Sequence, residues 1–155
     1  MSRISSAVLE GWKTVEERLA NPLVRRLLRS RAHRIASHAL AVLAYEGRVS
    51  GRGYEIPVAY ARRDRTVVVL TPREATTWWK NFREPSECTL HVRGHRRSAV
   101  GEVVTDPAEG RALGAIYARQ RPVLSRLLGV DPAPNPFESR VTQDFAIVRF
   151  SLERR

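Results

Sequence analysis

The chain has 155 residues, 43% of them apolar and 7% aromatic, which suits one domain with a single sizeable core and leaves no room for two packed ones. Its net charge is +11, from 27 basic and 16 acidic residues, and the only lysines are Lys13 and Lys80. A single cysteine, Cys88, excludes an internal disulfide and a cysteine metal cage, and the spacing of the four histidines offers no metal-ligand pattern.

Ile4, Val8, Trp12, Val15 and Leu19 recur at helical spacing until Asn21-Pro22 interrupts them, so residues 1–37 are expected to form a helical arm ahead of a domain at 38–155. The second part of that arm carries Arg25, Arg26, Arg29, Arg31 and Arg34 beside Leu23, Leu27 and Leu28. Such a helix either packs with a solvated basic face or touches an anionic membrane. From His38 the pattern turns to strands. His38–Tyr45 is one apolar run; Tyr54, Ile56, Val58 and Tyr60 alternate with other residues; a polar turn at 62–65 leads into Thr66–Leu70. A short helix is expected over Trp78–Phe82. Two strands about a Gly94-His95 hairpin follow, the second over Arg97–Thr105.

Asp106-Pro107 starts a helix running to about Arg119, and a shorter one is expected over 123–128. Three prolines within 132–136 exclude regular structure and make 131–136 a loop placed to act as a lid, with Leu113, Ile116, Tyr117 and Leu124 as its apolar neighbours. Phe145–Phe150 is the last strand. Six antiparallel strands with flanking helices predict a small β-barrel.

Two blocks carry chemistry. Gly47-Arg48-Val49-Ser50-Gly51-Arg52 offers turn N–H groups, a hydroxyl and two guanidinium forks, a set suited to a phosphate-bearing anion. Trp78-Trp79-Lys80-Asn81-Phe82 could wall an adjoining cleft. Cys88, alternating with apolar residues, reads as a buried side chain.

The helical arm, Leu43-Ala44-Tyr45-Glu46 running into the glycine-arginine turn, then Ile56-Pro57-Val58, an apolar strand and Trp78-x-x-Asn81-Phe82, together resemble the deazaflavin-dependent nitroreductase family. The resemblance implies a six-stranded antiparallel split β-barrel of the FMN-binding, pyridoxamine phosphate oxidase-like kind, and hydride transfer with coenzyme F420. Carried over, it implies that Arg48, Ser50, Gly51 and Arg52 hold the cofactor's phosphate, that Pro57 and Val58 pass its ring, and that Trp78 and Asn81 close the cleft. Thr71 and Arg73 are further cofactor candidates. Trp79 and Tyr117 are assigned to the substrate cleft. No catalytic side chain is required, because the cofactor carries the hydride.

The loop Thr71–Thr77 has no glycine, so FMN, or no cofactor, stands as an alternative to F420. A small hydrophobic electron acceptor such as a quinone or nitro compound is the expected partner, and a homodimer fits. A non-catalytic carrier of flavin, haem or a lipid-like molecule is the other reading of the same barrel. Nucleic acid is not expected, since no aromatic residues interleave with the arginines of the arm. With no leader and no apolar run long enough to span a bilayer, the expected location is cytoplasmic, with the arm able to meet the inner membrane face.

Overall fold

A computed structural model describes residues 39–122, 125 and 144–154. The basic arm, the short helix expected at 123–128 apart from Ser125, and the loop at 131–136 lie outside the described residues. Within them, β1 (Leu40–Glu46), β2 (Gly53–Arg63), β3 (Thr66–Pro72), β4 (Ser86–Val92), β5 (His95–Val103) and β6 (Phe145–Leu152) form a closed antiparallel barrel in the order β1-β2-β3-β6-β5-β4. A 3₁₀ turn, Trp78–Phe82, links β3 to β4, and helix α1 (Pro107–Gln120) links β5 to β6.

The period-two pattern sorts the strands into two apolar faces. Leu43, Val58, Tyr60, Val67, Val69, Leu90, Val148 and Phe150 point inward and fill the barrel. Ala61, Val68, Leu70 and Ile147 point outward and are covered by Leu113, Ile116 and Tyr117 of α1. β3 is therefore apolar on both faces, which explains its unbroken Val-Val-Val-Leu run.

Helix α1 is capped and anchored. Asp106 accepts the Glu109 N–H at 3.1 Å, with proline in the first turn, as its sequence predicts. Arg149 of β6 pairs with Glu102 of β5 at 2.8 Å and with Glu109 of α1. At the other end Gln120 exchanges two hydrogen bonds with the Arg62 backbone, at 2.7 and 2.9 Å.

The strands run further than their alternation suggests: β2 continues to Arg63, β3 to Pro72 and β6 to Leu152. Pro57 sits within β2 opposite Val42. It is tolerated there because the β2–β3 ladder covers only Tyr60–Arg63, so at Pro57 one edge of the strand carries no ladder. The hairpin after β4 turns at Arg93-Gly94, both at positive φ, one residue ahead of the expected Gly94-His95.

The staves are unequally joined. β3 and β6 share seven residue pairs, from Thr66↔Ser151 to Pro72↔Phe145. β1 and β4 share three, ending at Ala44↔Thr89. Beyond that rung the β1–β2 hairpin leans away from β4.

Candidate functional site

The β1–β2 connection is built from its own backbone. The Gly47 N–H donates to Arg52 O at 2.7 Å and the Gly51 N–H to Gly47 O at 2.8 Å. Gly51 has φ +67°, a conformation that disfavours any residue with a Cβ. Ser50 Oγ accepts the Arg52 N–H at 3.3 Å and lies 3.4 Å from the Tyr54 hydroxyl. Arg48, Val49, Ser50 and Arg52 are all exposed around this turn.

The 3₁₀ turn clamps it from the side. With three residues per turn, Trp78 and Asn81 share one face. Asn81 Oδ1 accepts the Arg48 N–H at 2.8 Å while its Nδ2 donates to Trp78 O at 2.9 Å. Arg48 also pairs with Glu84 at 3.0 Å. Phe82 drops into the barrel, edge-on to Tyr45, Trp78 and Phe150 at centroid distances of 5.7, 6.0 and 5.4 Å. Gly101 makes room for it: a Cβ there would stand 2.6 Å from Phe82 and 2.7 Å from Phe150.

Between the glycine turn and the 3₁₀ turn lies a cavity of about 460 Å3, lined by Gly47, Ser50, Tyr54, Ile56, Trp78 and Asn81 among others. Its volume is within the range of small-molecule sites. Tyr45 and Tyr54, directly opposite across the hairpin, stack at 5.5 Å and form a second aromatic wall. They also border a larger groove, about 910 Å3, that opens where β1 and β4 stop pairing.

The structure brings Ser50, Trp78 and Asn81 of the sequence candidates to this cavity, with Arg48, Gly51 and Arg52 in the turn that borders it. Others lie elsewhere. Val58 packs inside the barrel and Pro57 is buried on the opposite face of β2, so neither lines the cavity. Thr71 is fully buried and bonded to Thr76 Oγ1 at 2.7 Å. Arg73 donates from Nε to Phe145 O at 3.1 Å and lies over the Trp79 ring at 5.0 Å. Burial first, and then the charge of Arg83, lowers the pKa of its guanidinium.

Two substrate-cleft candidates lie away from this cavity. Trp79 does not line the cavity; its Nε1 donates to Thr76 O at 2.9 Å and its ring faces cations. Adjacent residues on a 3₁₀ turn diverge by about 120°, so Trp78 and Trp79 cannot serve the same wall. Tyr117 is fully buried between α1 and the barrel exterior, its hydroxyl donating to Ala59 O at 3.3 Å. That burial pushes its hydroxyl pKa well up from the ordinary value, although the charge of Arg121 opposes the shift.

Tyr45, Tyr54, Ile56 and Thr77 line the cavity although the sequence assigned none of them to the site. One signal was present: tyrosines placed symmetrically on either side of a tight turn face each other in a hairpin.

No protein-family model matches the chain, and no curated protein matches it. Solved structures do. The heme storage protein HutZ from Vibrio cholerae superposes with TM-score 0.53 at 13% identity, covering 88% of this chain and 92% of its own. A protein provisionally described as a pyridoxamine 5'-phosphate oxidase, from Listeria innocua, gives 0.52 at 11%, covering 82% and 94%. The FAD and heme binding protein from Mycobacterium smegmatis gives 0.50 at 16%, covering 81% and 67%. At such identities the likeness is one of fold, the closed six-stranded antiparallel barrel described above.

Proposed function

We propose that the barrel binds a phosphate-bearing flavin-type cofactor, coenzyme F420 in the leading reading and FMN in the alternative, and serves as an oxidoreductase toward a small hydrophobic acceptor such as a quinone or nitro compound. The observation that carries this is the junction of the Gly47–Arg52 turn with an aromatic-walled cavity of about 460 Å3. Anion donors at one end and stacking surfaces along the sides match a planar ring system with a phosphate tail.

The donor set fits the phosphate. The Arg52 guanidinium is exposed, the Ser50 hydroxyl faces the cavity, and the Arg48–Glu84 pair is open to solvent, with side chains 48% and 74% exposed, so a bound phosphate can compete for Arg48. Trp78 and Tyr45 offer apolar faces for the ring, and Asn81 holds the two turns together from its position beside them. When bound, the deazaflavin or flavin supplies the hydride chemistry. The chain's own part is to bind, orient and exclude water. Likeness of fold to proteins described as FAD and heme binding and as heme storage supports a cofactor-binding barrel.

The test is spectroscopic. The purified protein is titrated with F420 and with FMN, and reduced F420 is then offered with menaquinone-like and nitroaromatic acceptors. Saturable F420 binding with acceptor-dependent oxidation supports the proposal. Tight binding without turnover makes the barrel a carrier, and no binding of either cofactor overturns the reading.

A further inference from the structure

The strands end at two poles, and charge is divided unequally between them. The Gly47–Arg52 turn and the 3₁₀ turn close one pole, where the described strand ends and connections, 46–53, 73–85, 104–106 and 144, hold five cations and five carboxylates. The strand registers bring the β2–β3 hairpin, the β4–β5 hairpin and the end of β6 together at the other. There residues 62–66, 92–97 and 151–154 hold seven arginines against two carboxylates, Asp64 and Glu153.

Backbone bonds join these three pieces into one rim. The Leu152 N–H donates to Arg65 O at 2.8 Å and the Glu153 N–H to Ser98 O at 2.9 Å, so the end of β6 is held between the two hairpins. Arg62 and Arg97 are turned to backbone, donating to Asp64 O at 2.8 Å and to Glu153 O at 3.1 Å. The other five are free to face outward. Arg63, Arg65, Arg93, Arg96 and Arg154 are all exposed, and among the described residues none of them makes an ion pair. Held on one rim, their fields add and project away from the barrel.

We propose that this arginine rim is a docking surface for an anionic phospholipid membrane. The described residues expose two large apolar side chains, Val49 and Tyr54, and both lie at the other pole, so the rim meets headgroups by charge and inserts nothing. Nucleic acid is the weaker fit. No aromatic side chain stands among these arginines to stack on a base. The chain also enters the barrel at this pole, at Leu40, which joins the segment 23–34 beside the rim. Its Leu23, Leu27 and Leu28, set among arginines, suit a lipid interface and have no counterpart on a phosphate backbone. The proposal does not depend on what fills the cavity, which lies at the opposite pole and faces water while the rim is docked.

The test is co-sedimentation of the full chain with phosphatidylcholine vesicles, with and without phosphatidylglycerol. Binding is expected only where phosphatidylglycerol is present, and it should weaken as salt rises past about 150 mM, where screening sets in beyond about 8 Å. Arg63→Gln/Arg65→Gln/Arg93→Gln should weaken it about tenfold or more, and Arg65→Gln alone by a smaller factor. Lys80→Gln/Arg83→Gln/Arg111→Gln removes the same charge from the other pole and the start of α1, and should leave affinity within about twofold of the parent. Equal losses in the two triple variants would reduce the effect to net charge and overturn the proposal. Undiminished binding by the rim triple would assign the contact to the segment before Leu40 and overturn it as well. So would equal binding to both kinds of vesicle, or rim-dependent binding to a duplex oligonucleotide with none to vesicles. Unchanged thermal midpoints show that the variants keep their fold, and Arg65→Gln, a single exposed change in a hairpin, carries the test should the rim triple lose it.

Discussion

Arg48 and Arg52 look equivalent in sequence and are not equivalent in place. Arg48 shares its guanidinium with Glu84, whereas the Arg52 side chain projects from the turn with only its backbone engaged. Arg52→Ala should therefore weaken F420 or FMN binding by about 1.5–3 kcal/mol, the worth of a hydrogen bond to a charged group, and Arg48→Ala by less. Glu84→Gln should tighten binding, because it releases Arg48 to the phosphate. Cofactor titrations of the three variants check the order. Cys88 offers a second test. Burial pushes its thiol up to about 12 from an ordinary 9.0, opposed in part by a backbone hydrogen bond. The folded state thus holds a proton that the unfolded state loses as pH rises past 9, so the unfolded state binds fewer protons in that window and Cys88's contribution to stability falls with rising pH. Alkylation of native protein at pH 8 should be slow, and should accelerate in denaturant; a rate equal to that of a free thiol would contradict the burial.

At the scale of elements, the 3₁₀ turn is held by Phe82 inside the barrel and by Asn81 across to the glycine turn. Gly101→Ala should cost about 1–3 kcal/mol, since its methyl must displace two phenyl rings at once, and chemical denaturation reads it directly. Asn81→Leu keeps the volume but removes the acceptor for the Arg48 N–H, so cofactor affinity should fall more than stability. The strands were legible because inward and outward residues alternate. Their ends were not: Arg62 and Arg63 have the polar character of a turn yet pair across a tight hairpin with Val67 and Thr66, and Pro72 is held by Phe145, far along the chain. The glycine turn and Trp78–Asn81 were legible as chemistry from their residue types. The positions of Tyr117 and Trp79 away from this cavity were not legible for one reason: an apolar pattern reveals that an aromatic is buried against something, and not which of two faces receives it. The barrel is apolar inside and out beneath α1, so both destinations existed.

At the scale of the molecule, the barrel is closed by ladders of very different length, seven rungs between β3 and β6 and three between β1 and β4. Opening a barrel requires breaking only one of its ladders, so resistance to opening is set by the shortest. Amide exchange should accordingly be fastest among strand residues at Tyr45, Glu46 and Ser86–Cys88, and slowest at Val67–Leu70 and Ile147–Phe150. Equal protection at the two seams would contradict this ranking. The short seam also borders the Tyr45–Tyr54 wall of the candidate site. A guest wider than the resting cleft can be admitted by parting three rungs, while the remaining staves and the helix braced against them keep their registration; the architecture works as a clasp with its hinge and its catch on opposite sides.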